Sequence, residues 1–129
     1  MPSAAPAASA AIGPDQTRAA LDTFTGIVSN WGLSTDQQIL LLGSPARSTF
    51  FKWKKEGGQL PYDTQERLSH IFNIHKALEI LIPDAQLADT WMKRPNRVFE
   101  GQSALDHALS GKLADLYEVR RYLDAQRGG

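Results

Sequence analysis

From Leu21 onward, apolar side chains return every three or four positions, and each such run is closed by a glycine, a proline or a serine-containing stop. Strand signals are weak throughout, so the chain must bury its apolar stripes helix against helix. Leu21, Phe24, Val28 and Trp31 define a first helix, about Asp15 to Asn30, ended by Gly32. Leu33 and Ser34 restart the chain for a short helix from Thr35 to Leu42. Ser34 suits the N-cap there, and Asp36 lies in the first turn, where the helix dipole favours an acid. Gly43 closes this helix, and Ser44-Pro45 offers an N-cap and a first-turn proline to the next, which runs to about Glu56 before Gly57-Gly58. Pro61 and Asp63 open a long helix that Pro83 terminates. Its Leu68, Ile71, His75, Leu78 and Ile82 share one stripe, which makes His75 a hydrogen-bonded core residue in this reading. Asp84 to Met92, Ser103 to Leu109 and Lys112 to Gln126 complete a predicted all-α fold of seven helices, with Pro95-Asn96 as a turn.

The 129 residues suffice for one domain or for two small helical subdomains on a common core. Cysteine is absent, which excludes a disulfide scaffold, a thiolate metal site and a cysteine nucleophile together and fits a reducing cytoplasm. Lys plus Arg equals Asp plus Glu, 14 against 14, so no global field draws the molecule to nucleic acid or to an anionic membrane. Binding to either must come from a local patch. Met1 to Pro14 is nearly all Ala, Pro, Ser and Gly and reads as a disordered arm, since such a composition buries too little surface to offset its ordering entropy. It has no basic start and no leucine-rich centre, so it does not read as a secretion signal, and no apolar run is long enough to span a membrane.

Two short helices joined at Gly43-Ser44 have the form of a helix-turn-helix, whose second helix would enter the major groove of DNA. At 100° per residue Ala46, Phe50 and Trp53 fall within about 60° of one another and face the core, with Ser44, Ser48, Phe51 and Lys55 opposite. Arg47, Lys52, Lys54 and Lys55 are four cations with no anion among them between Ser44 and Lys55. Ser44, Arg47, Ser48, Lys52, Lys54 and Lys55 are therefore the candidate DNA-binding residues, on a local positive patch that the balanced total conceals. Phe51 fits either a thymine methyl or a protein surface, the first helix included. Counted from Gly43, Phe50 and Trp53 come about one residue later than the buried anchors of common helix-turn-helix repressors, which implies a longer turn.

From Trp91 the chain reads W-M-K-R-P-N-R-V-F-E-G-Q-S-A-L-D-H-A-L-S-G, followed by a helix with Leu113, Leu116, Val119, Tyr122 and Leu123 on one face. The tryptophan, the Pro-Asn turn, Phe99 before Gly101, and Leu105 and Leu109 before Gly111 resemble the C-terminal domain of the MbcA/ParS/Xre antitoxin family. Trp31, L-S-x-x-Q-Q-I-L-L-L-G-S, Trp53, and Leu60 followed by D-T-Q-E-R-L-S-H-I are similar to the Xre-type helix-turn-helix of such antitoxins. The resemblance runs from about Thr23 to Leu123, with Ala104 where many relatives have proline and Lys112 where they have a second glycine.

After the arm that composition sets apart at 1–14, the resemblance implies a helical domain at 15–82 with its helix-turn-helix at about 34–56, and a small helical toxin-binding domain at 83–129. It further implies two partners. One is a RES-domain toxin that consumes NAD⁺ and whose nucleotide pocket is covered by the C-terminal helix and tail; the other is operator DNA, bound to repress the antitoxin's own operon. The blocking region would hold Tyr117, Arg120, Arg121, Asp124 and Arg127. Trp91, Phe99, Leu105 and Leu109 read as core of the small domain, because large apolar residues at this spacing are mostly buried. Glu118 and Tyr122 are placed beside Arg121, and the chain is expected to fold without the residues after Tyr117. A homodimer within a larger toxin–antitoxin complex is expected, with no cofactor and no metal. The alternative from another class is a stand-alone transcription regulator whose C-terminal part only dimerises or senses a ligand.

Catalysis finds no candidate residues. Asp106 and His107 are adjacent on a helix and point in different directions, without a nucleophile elbow or an oxyanion loop. His70 and His75 stand about 140° apart on a helix and cannot share one ion. No glycine-rich loop precedes a helix to cradle phosphates.

Overall fold

The computed structural model describes residues 13–128; the expectation of disorder for the arm falls outside them, except that Pro14 already belongs to a helix. Among the described residues seven α-helices follow in chain order: α1 (Pro14–Asn30), α2 (Thr35–Leu41), α3 (Arg47–Glu56), α4 (Tyr62–Leu81), α5 (Ala85–Lys93), α6 (Ala104–Ala108) and α7 (Leu113–Gln126). A 3-10 turn, Arg97–Phe99, lies between α5 and α6. The described residues include no strand; Pro95 and Ser103 form an isolated antiparallel bridge that closes the loop between α5 and α6. Among the described residues no helix is long and apolar enough to cross a membrane.

Local chemistry sets most of the boundaries. Ser34 and Gln37 form a capping box at the start of α2: the Gln37 amide donates to Ser34 Oγ at 3.2 Å and the Ser34 amide to Gln37 Oε1 at 2.9 Å. Asp84 caps α5 by accepting from the amides of Gln86 and Leu87, and Ser103 caps α6 by accepting from that of Asp106. Ala104 opens α6 directly after that cap, the first-turn position at which a proline is also favoured.

One apolar core runs through the molecule, from Leu21, Phe24 and Val28 of α1 through Phe50 and Trp53 of α3 and Leu68, Ile71 and Ile74 of α4 to Leu116, Val119 and Leu123 of α7. α4 is its common wall, with α1 against one side and α7, the most extensive of its neighbours, against another. Its buried residues, Thr64, Arg67, Leu68, His70, Ile71, Ile74, Ala77 and Leu78, span an arc of about 180° rather than one narrow stripe. That width corrects the reading of His75. His75 is half-exposed and stands 3.6 Å from Glu79, while His70 is the histidine inside.

The start of α1 closes over the end of α3. Thr17 Oγ1 donates to the Gly58 carbonyl at 2.6 Å and Arg18 Nη1 to the Glu56 carbonyl at 2.9 Å, which occupies acceptors at the end of α3. Gly57 makes this closure possible: its φ is +76°, and a Cβ there would collide with the Pro14 carbonyl. Gly57→Ala should therefore cost about 2 kcal/mol or more in a denaturant titration. Gly26, inside α1 with nothing within 4 Å of a built Cβ, is the contrasting case. Gly26→Ala should raise stability by about 0.5–1 kcal/mol in the same titration.

Candidate functional site

The turn between α2 and α3 differs from the sequence reading in its chemistry. Ser44 has φ +59° and does not cap α3; its amide donates to the Ile39 carbonyl at 3.0 Å, beside that of Gly43 to Leu40 at 3.1 Å. These bonds finish α2 in a left-handed closure, so Ser44 is spent on the helix before it. α3 begins only at Arg47 behind Ala46, which has no side-chain cap and is exposed rather than in the core. Gly43, at φ +95°, carries the bend: a Cβ there would meet Asp63 Oδ2 at 2.7 Å and Arg67 Nε at 3.2 Å. Arg67 is itself buried and bonded to Asp63 at 2.8 Å, and Thr64 Oγ1 donates to the Leu42 carbonyl at 3.3 Å. The turn is thus pinned to the first turn of α4.

With Phe50 and Trp53 buried, α3 turns Arg47, Ser48, Phe51, Lys52 and Lys55 outward, and Lys54 is half-buried. Arg47 is held by Asp36 of α2 at 2.7 Å and lies over the Phe51 ring at 5.6 Å; Lys54 Nζ lies 5.7 Å from the same ring. Phe51 is 43% exposed between these two cations. Among the described residues Lys52 and Lys55 have no carboxylate within ion-pair distance. The surface is cationic, hydroxyl-bearing and open, with uncapped amides at the start of α3.

α7 presents two different flanks beside its buried stripe of Leu116, Val119 and Leu123. On one flank Tyr122 stacks on Trp91 at 6.2 Å and meets Phe99 edge-on at 5.9 Å. Phe99 and Leu105 are buried, and Trp91 and Leu109 are half-buried against the same core. His107, stacked on Phe99 at 5.0 Å, brings Nε2 to 2.5 Å from Glu118 Oε1 and 3.8 Å from Asp115 Oδ1. Glu118 therefore clasps α6 to α7 and is not the local partner of Arg121. These three groups lie within 4.8 Å of one another and are the described residues best placed to hold a cation, but the imidazole already has its partner in Glu118.

The other flank faces α4 and gathers Tyr117, Arg120 and Asp124. Arg120 Nη1 donates to His70 Nδ1 at 2.9 Å, and its Nε lies 3.5 Å from Asp124 Oδ2. The Tyr117 ring leans over His70 at 5.2 Å, and the residue remains exposed. Asp124 and Arg127 line an open groove with Asn73 of α4. Arg121 and Arg127 point outward, and among the described residues neither has an ion pair. Burial of Val119 and Leu123 also corrects the expectation of a folded stump: removing everything after Tyr117 would strip the core of two of its members.

His70 is the buried, arginine-bonded residue of this flank that sequence reasoning missed, although a second stripe on α4 was there to read: His70, Ile74, Ala77 and Leu81, at steps of four, three and four. Because Nδ1 accepts from Arg120, the imidazole is neutral with its hydrogen on Nε2, toward Glu66 at 3.6 Å. Burial lowers the His70 pKa from 6.5, helped by the Arg120 charge and opposed by Glu66. The unfolded chain then binds this proton at a higher pH than the folded one. Stability should accordingly fall as pH drops below 6.5, and His70→Asn should flatten that part of the melting-temperature profile; an equal slope in the variant would count against the assignment.

Two family models match this chain in the order of its two halves. The antitoxin Xre-like helix-turn-helix domain matches residues 10–73, and the antitoxin Xre/MbcA/ParS C-terminal toxin-binding domain matches residues 77–129. Neither describes an enzyme. The boundary between them falls inside α4. The chain is also similar to the uncharacterized protein y4oB of Sinorhizobium fredii (strain NBRC 101917 / NGR234), 61% identical over 111 residues that cover 86% of each protein. A helix-turn-helix half and a toxin-binding half, sharing α4 as their common wall, make this chain a member of the Xre/MbcA/ParS antitoxin family.

Proposed function

We propose that this antitoxin neutralises a RES-domain, NAD⁺-consuming toxin by laying α7 and the tail over the toxin's nucleotide pocket, and represses its own operon by placing α3 in operator DNA. In this reading residues 15–82 form the DNA-binding part, 83–129 the toxin-binding part, and the working unit is a homodimer within a larger complex. The observation that carries the DNA half is the outer face of α3, where Lys52 and Lys55 stand unpaired among the described residues on a chain of zero net charge. Cations so placed reach phosphates, while Ser44, Ser48 and Lys54 lie along the path of the same backbone. The toxin half is supported by the match over residues 77–129 and by the flank of α7, where arginines favoured at interfaces stand next to an exposed tyrosine.

Replacing Arg47, Lys52 and Lys55 together by alanine should weaken binding to the DNA upstream of the reading frame and lower its salt slope by about 0.9 for each phosphate no longer neutralised. Unchanged binding and slope would remove α3 as the recognition helix. For the toxin half, Arg121→Glu with Arg127→Glu alters exposed side chains and should leave the fold intact. Cells co-expressing this variant with the toxin should lose growth and NAD⁺; sustained protection would refute the covering role of this flank.

A further inference from the structure

The toxin-binding domain as its family model delimits it begins at residue 77, yet the described structure ties its arginine to a residue before that point. We propose that His70 of α4 is a positioning residue for toxin binding, holding the Arg120 guanidinium in place on the flank that Tyr117 and Asp124 share. This rests on the reading of that flank as the toxin-facing surface.

A free arginine side chain carries about 2 kcal/mol of rotamer entropy, which a partner must remove on binding unless the protein has done so already. Here it has. Nη1 is bonded to His70 Nδ1 at 2.9 Å and Nε faces Asp124 at 3.5 Å, which leaves Nη2, among the described residues, without a hydrogen bond. Arg120 retains 27% of its side-chain exposure, enough to offer that free edge to an acceptor oxygen of the partner, a carboxylate or a main-chain carbonyl. The holder's chemistry matters. A second carboxylate in the place of His70 would fix the guanidinium and cancel its charge, whereas a neutral imidazole fixes it and leaves the charge for the partner.

His70 is itself rigid. It is 5% exposed, its ring lies against Tyr117 at 5.2 Å, and its Nε2 is a buried atom without a hydrogen-bond partner, with the Glu66 carboxylate 3.6 Å away. An apolar side chain would fill the same space without leaving that atom unsatisfied. A purely structural role therefore does not account for a histidine here, and an acceptor for Arg120 does.

The test is a double-mutant cycle on the full chain, with affinity measured for the RES-domain toxin of the proposed function and folding checked by thermal melts. Arg120→Ala should weaken binding about tenfold or more, and His70→Leu should weaken it by a similar factor in the wild-type background. In the Arg120→Ala background His70→Leu should have no further effect. His70→Asn, which keeps an acceptor near the place of Nδ1, should restore most of the affinity. Effects of His70→Leu and Arg120→Ala that multiply, or a His70→Leu protein that binds as wild type, would overturn the proposal while leaving Arg120 as a contact. Wild-type affinity in Arg120→Ala alone would overturn both the proposal and the reading of the flank beneath it.

Discussion

The rest of the structure depends on the burial of α4 along half its circumference. A helix covered on one side needs a stripe of apolar residues, but a helix serving two neighbours must make its flanks compatible with both. α4 meets this with Leu68, Ile71 and Leu78 toward the middle of the core and His70, Ile74 and Ala77 toward α7. The arrangement brings two ionisable side chains inside, Arg67 and His70, beside the buried Thr64, and a buried polar group left unpaired costs about 1–3 kcal/mol. Arg67 is satisfied by Asp63 beneath the Gly43 turn, while His70 receives a bond from Arg120 of α7. The two ionisable residues thus mark the two surfaces that α4 supports: one fixes the turn before α3, the other the arginine on the α4-facing flank of α7.

A neutral molecule can carry two binding surfaces only if it sorts its charges. From Arg47 to Lys55 α3 has no acid, its terminal Glu56 forms no ion pair among the described residues, and Asp36 of the preceding helix steadies Arg47 without covering Lys52 or Lys55. On α7 the acids are divided. Asp115 and Glu118 are turned toward His107 on the α6 side, and Asp124 stays with Arg120 on the α4 side, while Arg121 and Arg127 face outward. The same 14 and 14 charges on an unsorted surface would offer no partner a preferred face.

What could be read from sequence follows from how local each signal is. The helices of α1, α2, α5 and α7, with their ends, depend on side chains within about four positions of one another, and caps such as Ser34, Asp84 and Ser103 act over three residues. Ser44 shows where that logic fails. Its type and the following proline suit an N-cap, but the α2 closure claims its amide and displaces the start of α3 to Arg47. Ala46 then lies before the first residue of the helix, where the helix wheel no longer governs its direction, and it is exposed. The helix wheel pairs Glu118 with Arg121 on its own helix, whereas α6 offers it His107, a partner no helix wheel of α7 contains.

By itself the sequence determined that the chain is helical, where most helices begin and end, that four cations and no acid stand between Ser44 and Lys55, and that its motifs are those of an antitoxin. Each of these is a property of residues near one another in the chain or of their order along it. Only the tertiary structure decided which histidine is buried, which flank of α7 gathers Tyr117, Arg120 and Asp124, and that α4 serves both halves. His70 and Arg120 are 50 positions apart, and their bond exists only because α4 and α7 pack side by side. Periodicity tells how many faces a helix could bury; which neighbour lies against each face is set by the packing of the whole core.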